Sequence, residues 1–248
     1  MHLLNPVFHR EMLLLRTKML RFGYLVSTLL FPLLYLFAFG WGLGSRVVLS
    51  GGSYVNFLVP GLLAMTAMNN SFNLSAGSVG MGRLYSRTMQ PILIAPVSPC
   101  SIVNGSLLAG LVRGLIGCSI VALAALFLFG SASLPLTLPA VTGLLLAMTF
   151  FALAGLLVGL VIKDLEDIAV ITNFVIMPMA FFSGTFFPLD RIPELLRMVL
   201  TILPLTQANL LLRSQSFTPP ALFALCLLMS LCVATYGAAW SCLERYQE

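Results

Sequence analysis

The stretch MPMAFFSGTFFPLDRIPELLRMVLTILPLTQANLLLR, residues 177–213, decides how the chain folds. It is too apolar for a surface loop, yet one glycine and four prolines interrupt it too often for a single membrane-spanning helix. Its middle also carries four charges: Asp190, Arg191, Glu194 and Arg197. Broken backbone at membrane depth is tolerated only against protein or a wet cavity. The pattern therefore predicts a re-entrant helical hairpin over residues 183–206.

Long uncharged runs flank this stretch on both sides. The 248 residues are 59% hydrophobic and 8% charged, whereas soluble domains carry about a quarter charged residues. The runs exceed the roughly 20 residues that a membrane helix needs, and they lack the two-residue alternation of a membrane barrel. We predict an all-α integral membrane protein with six transmembrane helices, at about 23–44, 54–81, 102–129, 136–162, 168–182 and 220–242.

The distribution of lysine and arginine indicates the orientation of these helices. The predicted cytoplasmic group is Arg10, Arg16, Lys18, Arg21, Arg83, Arg87, Lys163 and Arg245, and the predicted outer group is Arg46, Arg191, Arg197 and Arg213. Because basic residues gather on the cytoplasmic side, both chain termini are expected there. The 183–206 hairpin is then expected on the outer side.

Residues 5–22 are typical of an amphipathic helix. Asn5 followed by Pro6 is an N-cap and first-turn pattern, and one apolar stripe is expected at Phe8, Met12, Leu15, Met19 and Phe22. Arg10, Lys18 and Arg21 lie off the stripe, which suits a helix resting in the membrane interface. It is either a topology anchor or a connecting helix that also touches a cytosolic partner.

Polar residues also occur inside the predicted spans. The second span contains Asn69, Asn70, Ser71, Asn73 and Ser75, which must face protein or a water-filled route because unpaired amides in lipid are costly. Hydrogen bonding between helices and the lining of a substrate route both remain open. Arg113, in the third span, is expected to extend towards the cytoplasmic interface.

The segment RLYSRTMQPILIAPVSP, residues 83–99, is a short cytoplasmic element with an apolar ILIA core between two prolines. Exposed apolar residues in such a place indicate a partner that covers them. A docking helix is favoured over a plain loop.

Several function classes lack their motifs. Lys18 and Lys163 are the only lysines and neither follows a glycine, so no Walker A loop is present. The five cysteines show no metal-type spacing, and the basic residues form no nucleic-acid patch. The charged run KDLED, residues 163–167, is interpreted as a cytoplasmic turn with local salt bridges. Intrinsic catalysis is not expected.

A set of motifs, in order along nearly the whole chain, resembles the membrane subunit of an ABC-2 type exporter, in the style of the bacterial drug, nodulation-factor and polysaccharide exporters. The motifs are YVNFLVPG (54–61), the 83–99 segment with its APVSP, the charged run 163–167, SGTFFP (183–188), Ile192-Pro193 and LPLT (203–206). One departure is Gln90-Pro91, where such proteins often carry an acidic residue before the apolar segment.

The resemblance implies one transmembrane domain, residues 1–248, in a bacterial plasma (inner) membrane. It implies a homodimer or pseudo-symmetric pair bound to two copies of a separate cytosolic ATP-binding subunit, which would carry ATP and Mg while this chain binds no cofactor. No nucleic acid is expected. The residues expected to couple to that subunit are Arg83, Arg87, Pro91, Ile92, Leu93, Ile94, Pro96, Arg10 and Lys18.

The first, second and fifth spans would flank the substrate path at the dimer interface. From polarity and position, the path is expected to include Asn69, Asn73, Phe181 and Phe182, and the outer gate Gly184, Phe186, Phe187 and Pro188. Such groups suit an amphiphilic or hydrophobic substrate: a drug, a lipid or a lipid-linked glycan. The alternatives are a secondary transporter, for which ionisable residues other than Arg113 are missing from the spans, and a structural membrane scaffold without an ATPase partner. A lipid-modifying enzyme would need a nucleophile or metal set that the sequence lacks.

Overall fold

The computed structural model describes residues 6–19, 30–42, 48–49, 52–94, 97–130, 134 and 136–247, and these are almost entirely helical. The helices are α1 Pro6–Met19, α2 Leu30–Trp41, α3 Tyr54–Leu84, α4 Gln90–Ile94, α5 Pro99–Phe129, α6 Leu138–Val161, α7 Glu166–Ile171, α8 Met177–Phe182, α9 Glu194–Thr201, α10 Pro204–Arg213 and α11 Pro219–Gln247. The only strands in this part of the chain are β1 Val48–Leu49 and β2 Gly52–Ser53, which pair antiparallel with Val48 opposite Ser53.

Helix α1 covers Pro6–Met19, and Asn5, the predicted N-cap, lies outside the described residues. Its buried face differs from the predicted stripe. Val7, Glu11 and Leu15 are buried, whereas Phe8 and Met12 are only half-buried. Of the predicted stripe, Leu15 thus lies on the buried face, and the structure adds Val7 and a carboxylate in the middle of the face that packs on α5. The side chains of Lys18 and Met19, and residues Arg21 and Phe22, lie outside the described part.

Helix α3 is the central element, packed between α5 and α6. Most of its side chains are buried in protein, among them the polar residues Asn70, Ser71, Ser75 and Ser78. Helix α6 approaches α3 through glycines. A Cβ added to Gly155 would stand 2.5 Å from the Phe72 carbonyl oxygen, and one added to Gly159 would stand 2.8 Å from that of Ala76. Small residues of this kind let membrane helices pack backbone to backbone.

Among the described residues, three helices are long and apolar enough to cross a membrane, namely Pro99–Phe129, Leu138–Val161 and Pro219–Tyr246. Helices α9 and α10, which meet at an angle of 89°, supply a fourth if the bent pair counts as one span. Helix α3 is not among these three, because its asparagine side chains lower its mean hydropathy. The predicted first span, 23–44, lies partly outside the described residues. The helical membrane class is confirmed, and the count of six crossings stays a prediction.

The predicted fifth span is one continuous helix over 166–182, in which Thr172–Ile176 form a π-helical turn between α7 and α8. A second π-helical stretch, Leu36–Trp41, ends α2. Such stretches inside helices frequently occur at functional sites.

Residues 183–206 are compact and broken, as their sequence predicts. A turn over 183–188 leads to a 3-10 turn at Leu189–Arg191, then to α9 and α10. Helix α9 is largely exposed, and its Arg197 pairs with the exposed Asp190 at 3.3 Å. Helix α10 is buried against α3, α6 and α11.

Candidate translocation site and coupling element

A cavity of about 330 Å³ lies between α2, α3 and the 166–182 helix. Its lining consists of Phe31, Pro32, Tyr35, Met65, Thr66, Asn69, Asn70, Asn73, Leu74, Thr172, Met177 and Ala180. The walls are apolar, and within the described residues the polar groups are amides and hydroxyls without a charged side chain. The Thr172 hydroxyl, at the start of the π-helical turn, donates to Asn73 Oδ1 at 2.8 Å. The cavity can hold an apolar molecule that carries uncharged hydrogen-bonding groups.

The asparagines of α3 divide between two roles. Asn69 and Asn73 are half-buried and border the cavity. Asn70 also lines the cavity, but it is buried and its side chain reaches α5, where a Cβ added to Gly117 would stand 1.7 Å from its Nδ2. Ser71 donates to the Gly110 carbonyl of α5 at 3.2 Å. The polar residues of α3 therefore border the cavity on one side and contact α5 on the other. That the cavity is a substrate route stays a prediction.

The two phenylalanines predicted for the path do not line the cavity. Phe181 belongs to an aromatic cluster, with its ring centroid 5.3 Å from Phe186 and 6.1 Å from Tyr35. Phe39 joins this cluster 5.0 Å from Phe186. Phe182 is more than half exposed and faces away from the protein interior. The cluster adjoins the cavity through Tyr35, which belongs to both.

The 183–188 turn, which contains the predicted gate residues, is held firmly by the protein. Gly184 has φ +74°, a conformation that favours glycine. Phe186 is fully buried, and its carbonyl accepts a hydrogen bond from the Tyr54 hydroxyl at 3.0 Å. Phe187 is exposed. Pro188, in extended backbone, leads into the 3-10 turn that follows.

Two residues of α10 fix the same turn. Asn209 Nδ2 donates to the Ser183 carbonyl at 2.9 Å and to Thr185 Oγ1 at 3.2 Å. Arg213 donates to the Thr185 carbonyl at 3.3 Å and, through Nη2, to the Phe57 carbonyl at 3.0 Å. The Arg213 guanidinium also lies 3.6 Å from the Phe57 ring centroid, close enough for a cation–π contact. The α10 helix therefore acts as a clamp on the turn.

The 83–99 segment forms a turn followed by the short helix α4. Met89 is buried in a cluster with Val7 and Ile102, and Ile92 packs partly against this cluster. Arg87, with φ +50°, and Pro91 are exposed. The side chains of Leu93 and Ile94, and residue Pro96, lie outside the described part. The segment thus has an exposed surface, and the buried side chain of Met89 holds it against α1 and α5.

Arg83, expected to contact a partner, is engaged within the chain. Its Nη1 donates to the Tyr246 hydroxyl at 2.6 Å, and its Nη2 donates to the Ile162 carbonyl. The Tyr246 hydroxyl in turn donates to the Leu160 carbonyl at 2.8 Å. These bonds join the ends of α3, α6 and α11.

Arg113, expected to extend towards the cytoplasmic interface, forms a buried ion pair with Glu11 of α1. Its Nη2 lies 2.5 Å from Glu11 Oε2, and the two side chains are 4% and 2% exposed. Ser78 donates to the same carboxylate oxygen at 2.6 Å, and Arg10 donates to Glu11 Oε1 at 3.1 Å. A buried charge needs such partners, and here they tie α1 to α3 and α5.

The charged turn at 163–167 is organised by one carboxylate. Asp167 Oδ2 accepts from the backbone amides of Lys163 at 3.2 Å and Asp164 at 3.1 Å. The predicted local salt bridges are not seen among the described residues, because the carboxylate caps backbone amides instead. No group of three or more His, Cys, Asp or Glu residues able to hold a metal occurs in the described part of the chain.

Sequence reasoning missed Glu11, Tyr54, Asn209 and Arg213 as site residues. The available signal was polarity in an apolar setting: Asn209 and Arg213 belong to the largely apolar α10, and Glu11 lies four residues from both Val7 and Leu15. A spacing of four places residues on one helix face.

Comparison with known proteins gives consistent matches. The family described as "ABC-2 type transporter" matches residues 7–217. The inner membrane transport permease YadH of Escherichia coli (strain K12) is 34% identical over 173 residues, which cover 68% of this chain and 67% of that protein. Nodulation protein J of Rhizobium meliloti (strain 1021) is 33% identical over 196 residues, covering 77% and 73%.

Proposed function

The chain belongs to the ABC-2 type transporter family, and on that premise we propose that it is the membrane subunit of an ATP-driven exporter. Two copies of a separate cytosolic ATP-binding subunit would supply ATP and Mg, and this chain would bind neither. The observation that carries the proposal is the pairing of an uncharged intramembrane cavity with the anchored, exposed 83–99 segment. The uncharged cavity suits an apolar substrate. The exposed 83–99 segment suits an ATP-binding subunit that moves it during the ATP cycle.

The proposed topology has six spans with both termini in the cytoplasm of a bacterial cell. The excess of Lys and Arg in the N-terminal segment and at 83–87 supports it. The 183–206 segment then lies on the outer side, where the turn clamped by Asn209 and Arg213 would be the outer gate.

The proposed path runs at the interface of two copies of this chain. Its support is the cavity between α2 and the 166–182 helix, since both helices also carry exposed large apolar side chains, including Phe37 and Phe174. The substrate would be an amphiphile or a hydrophobic molecule, because the cavity offers apolar walls, amides and hydroxyls.

Replacing Ile92 with aspartate is expected to abolish coupling to the ATP-binding subunit. The charge would stand on the partly exposed apolar face of α4, where a partner would have to desolvate it. The measurement is co-purification of the ATP-binding subunit and its ATP turnover in the complex. Leu195→Asp, a matched change on the exposed helix α9, should leave both intact. Unchanged assembly and turnover in Ile92→Asp would contradict the coupling assignment.

Replacing Asn73 with alanine is expected to lower transport by about two- to tenfold, the value of one lost hydrogen bond in a desolvated site. The measurement is ATP-dependent uptake of the uncharged fluorescent amphiphile N-phenyl-1-naphthylamine into inside-out vesicles. Asn104→Ala is the control, because Asn104 bonds to Tyr236 away from the cavity. Equal losses in both variants would argue against the cavity as the path.

A further inference from the structure

We propose that Arg10 is a positioning residue that transmits movement of the 83–99 segment to the cavity wall through the buried Glu11–Arg113 pair. The inference rests on the proposed function, since it assumes that an ATP-binding subunit acts on this segment. It assigns a mechanical role to Glu11 and Arg113, which are buried and do not line the cavity.

The first contact of the relay is between α1 and the turn before α4. Arg10 Nη2 donates to Thr88 Oγ1 at 2.6 Å, and Arg10 Nη1 lies 3.5 Å from Met89 Sδ. The C-terminal end of α3 also lies close to this guanidinium. A Cβ added to Gly82 would stand 2.9 Å from Arg10 Nη2, so a side chain at that position would displace it.

The second contact joins Arg10 to the buried carboxylate. The same Nη1 donates to Glu11 Oε1 at 3.1 Å, while Arg113 and Ser78 hold Oε2. The carboxylate is thus bound by groups from three helices. Since separating a buried ion pair is costly, Glu11 cannot move without its partners.

The third contact reaches the cavity. Arg113 Nη1 donates to the Leu74 carbonyl at 3.2 Å, and Leu74 is one of the residues that line the cavity, next to Asn73. A continuous chain of polar contacts therefore runs from Thr88 through Arg10, Glu11 and Arg113 to Leu74. Hydrogen bonds are directional, so these residues resist movement relative to one another. The apolar contacts of Met89 are not directional and allow such movement.

The exposed end of the relay allows a test that leaves the buried pair intact. Thr88 is exposed, so Thr88→Val removes the acceptor with little effect on folding, and Thr88→Ser retains it. Thr149→Val is the matched control, because the Thr149 hydroxyl bonds only to the Leu145 carbonyl of its own helix. Each variant is purified with the ATP-binding subunit in lipid nanodiscs. Amide hydrogen exchange is measured without nucleotide and with ATP, Mg and vanadate.

Nucleotide should change amide hydrogen exchange over 85–94 and over α1, residues 6–19, in three proteins: the wild type, the Thr88→Ser variant and the Thr149→Val variant. In Thr88→Val the change over 85–94 should persist, while that over α1 should fall by about two- to tenfold, the value of one hydrogen bond. A full α1 response in Thr88→Val would overturn the inference. If the wild type does not bind the ATP-binding subunit, or shows no response over 85–94, the proposed function fails instead.

Discussion

Glu11→Ala is expected to lower the free energy of unfolding by about 3–5 kcal/mol, because it leaves the Arg113 guanidinium buried without a counter-charge. Ser78 would lose its acceptor at the same time. The measurement is reversible unfolding of the purified protein in detergent micelles, followed by circular dichroism. The size of the loss follows from burial, since both side chains are at most 4% exposed.

A matched control lies on the protein surface. Arg197 and Asp190 form an ion pair at 3.3 Å with both side chains largely exposed. Arg197→Ala should therefore cost less than about 1 kcal/mol. The double variant Glu11→Leu with Arg113→Met should regain most of the stability lost in Glu11→Ala, because removing both charges leaves none unpaired. A double variant as unstable as Glu11→Ala would show that the ion pair is not the source of the loss.

Gly155→Ala is expected to destabilise the protein by about 1–3 kcal/mol through overpacking. The new methyl carbon would stand 2.5 Å from the Phe72 carbonyl oxygen and 3.1 Å from its Cα. Because both atoms belong to the backbone of the central helix, no side-chain rotation can relieve the clash. The clash can be relieved only if α6 moves away from α3. The measurement is again reversible unfolding of the purified protein in detergent micelles.

Gly77→Ala provides the comparison, since Gly77 is also helical and a Cβ there would meet no described atom within 4 Å. This substitution should be neutral or stabilise the helix by up to about 1 kcal/mol. Equal effects of the two substitutions would mean that helix propensity, and not close packing of α6 on α3, determines the response.

Much of the architecture could be predicted from local pattern. The predicted break between the spans 102–129 and 136–162 lies where the structure separates α5 from α6. The breakers of 177–213 correctly indicated short helices. These successes share one cause, since capping residues, prolines and apolar runs act within a few residues along the chain.

The candidate site could be predicted only in part. Asn69 and Asn73 were identified from their polarity, and the structure places both at one cavity. Phe182 carries the same aromatic signal as Phe181, yet only Phe181 joins the aromatic cluster. A side chain's neighbours depend on how the helix is rotated, and sequence spacing alone does not set this for a helix that is apolar on all sides.

By itself, the sequence determined the helical membrane class, the family and the broken character of residues 177–213. Only the tertiary structure decided that the 183–188 turn is clamped by Tyr54, Asn209 and Arg213. Likewise, only the tertiary structure brought Glu11 to Arg113, 102 residues away. The physical reason is that a buried polar side chain is stable only when its partners converge on it. Those partners come from helices far apart in the chain, so no local pattern records them.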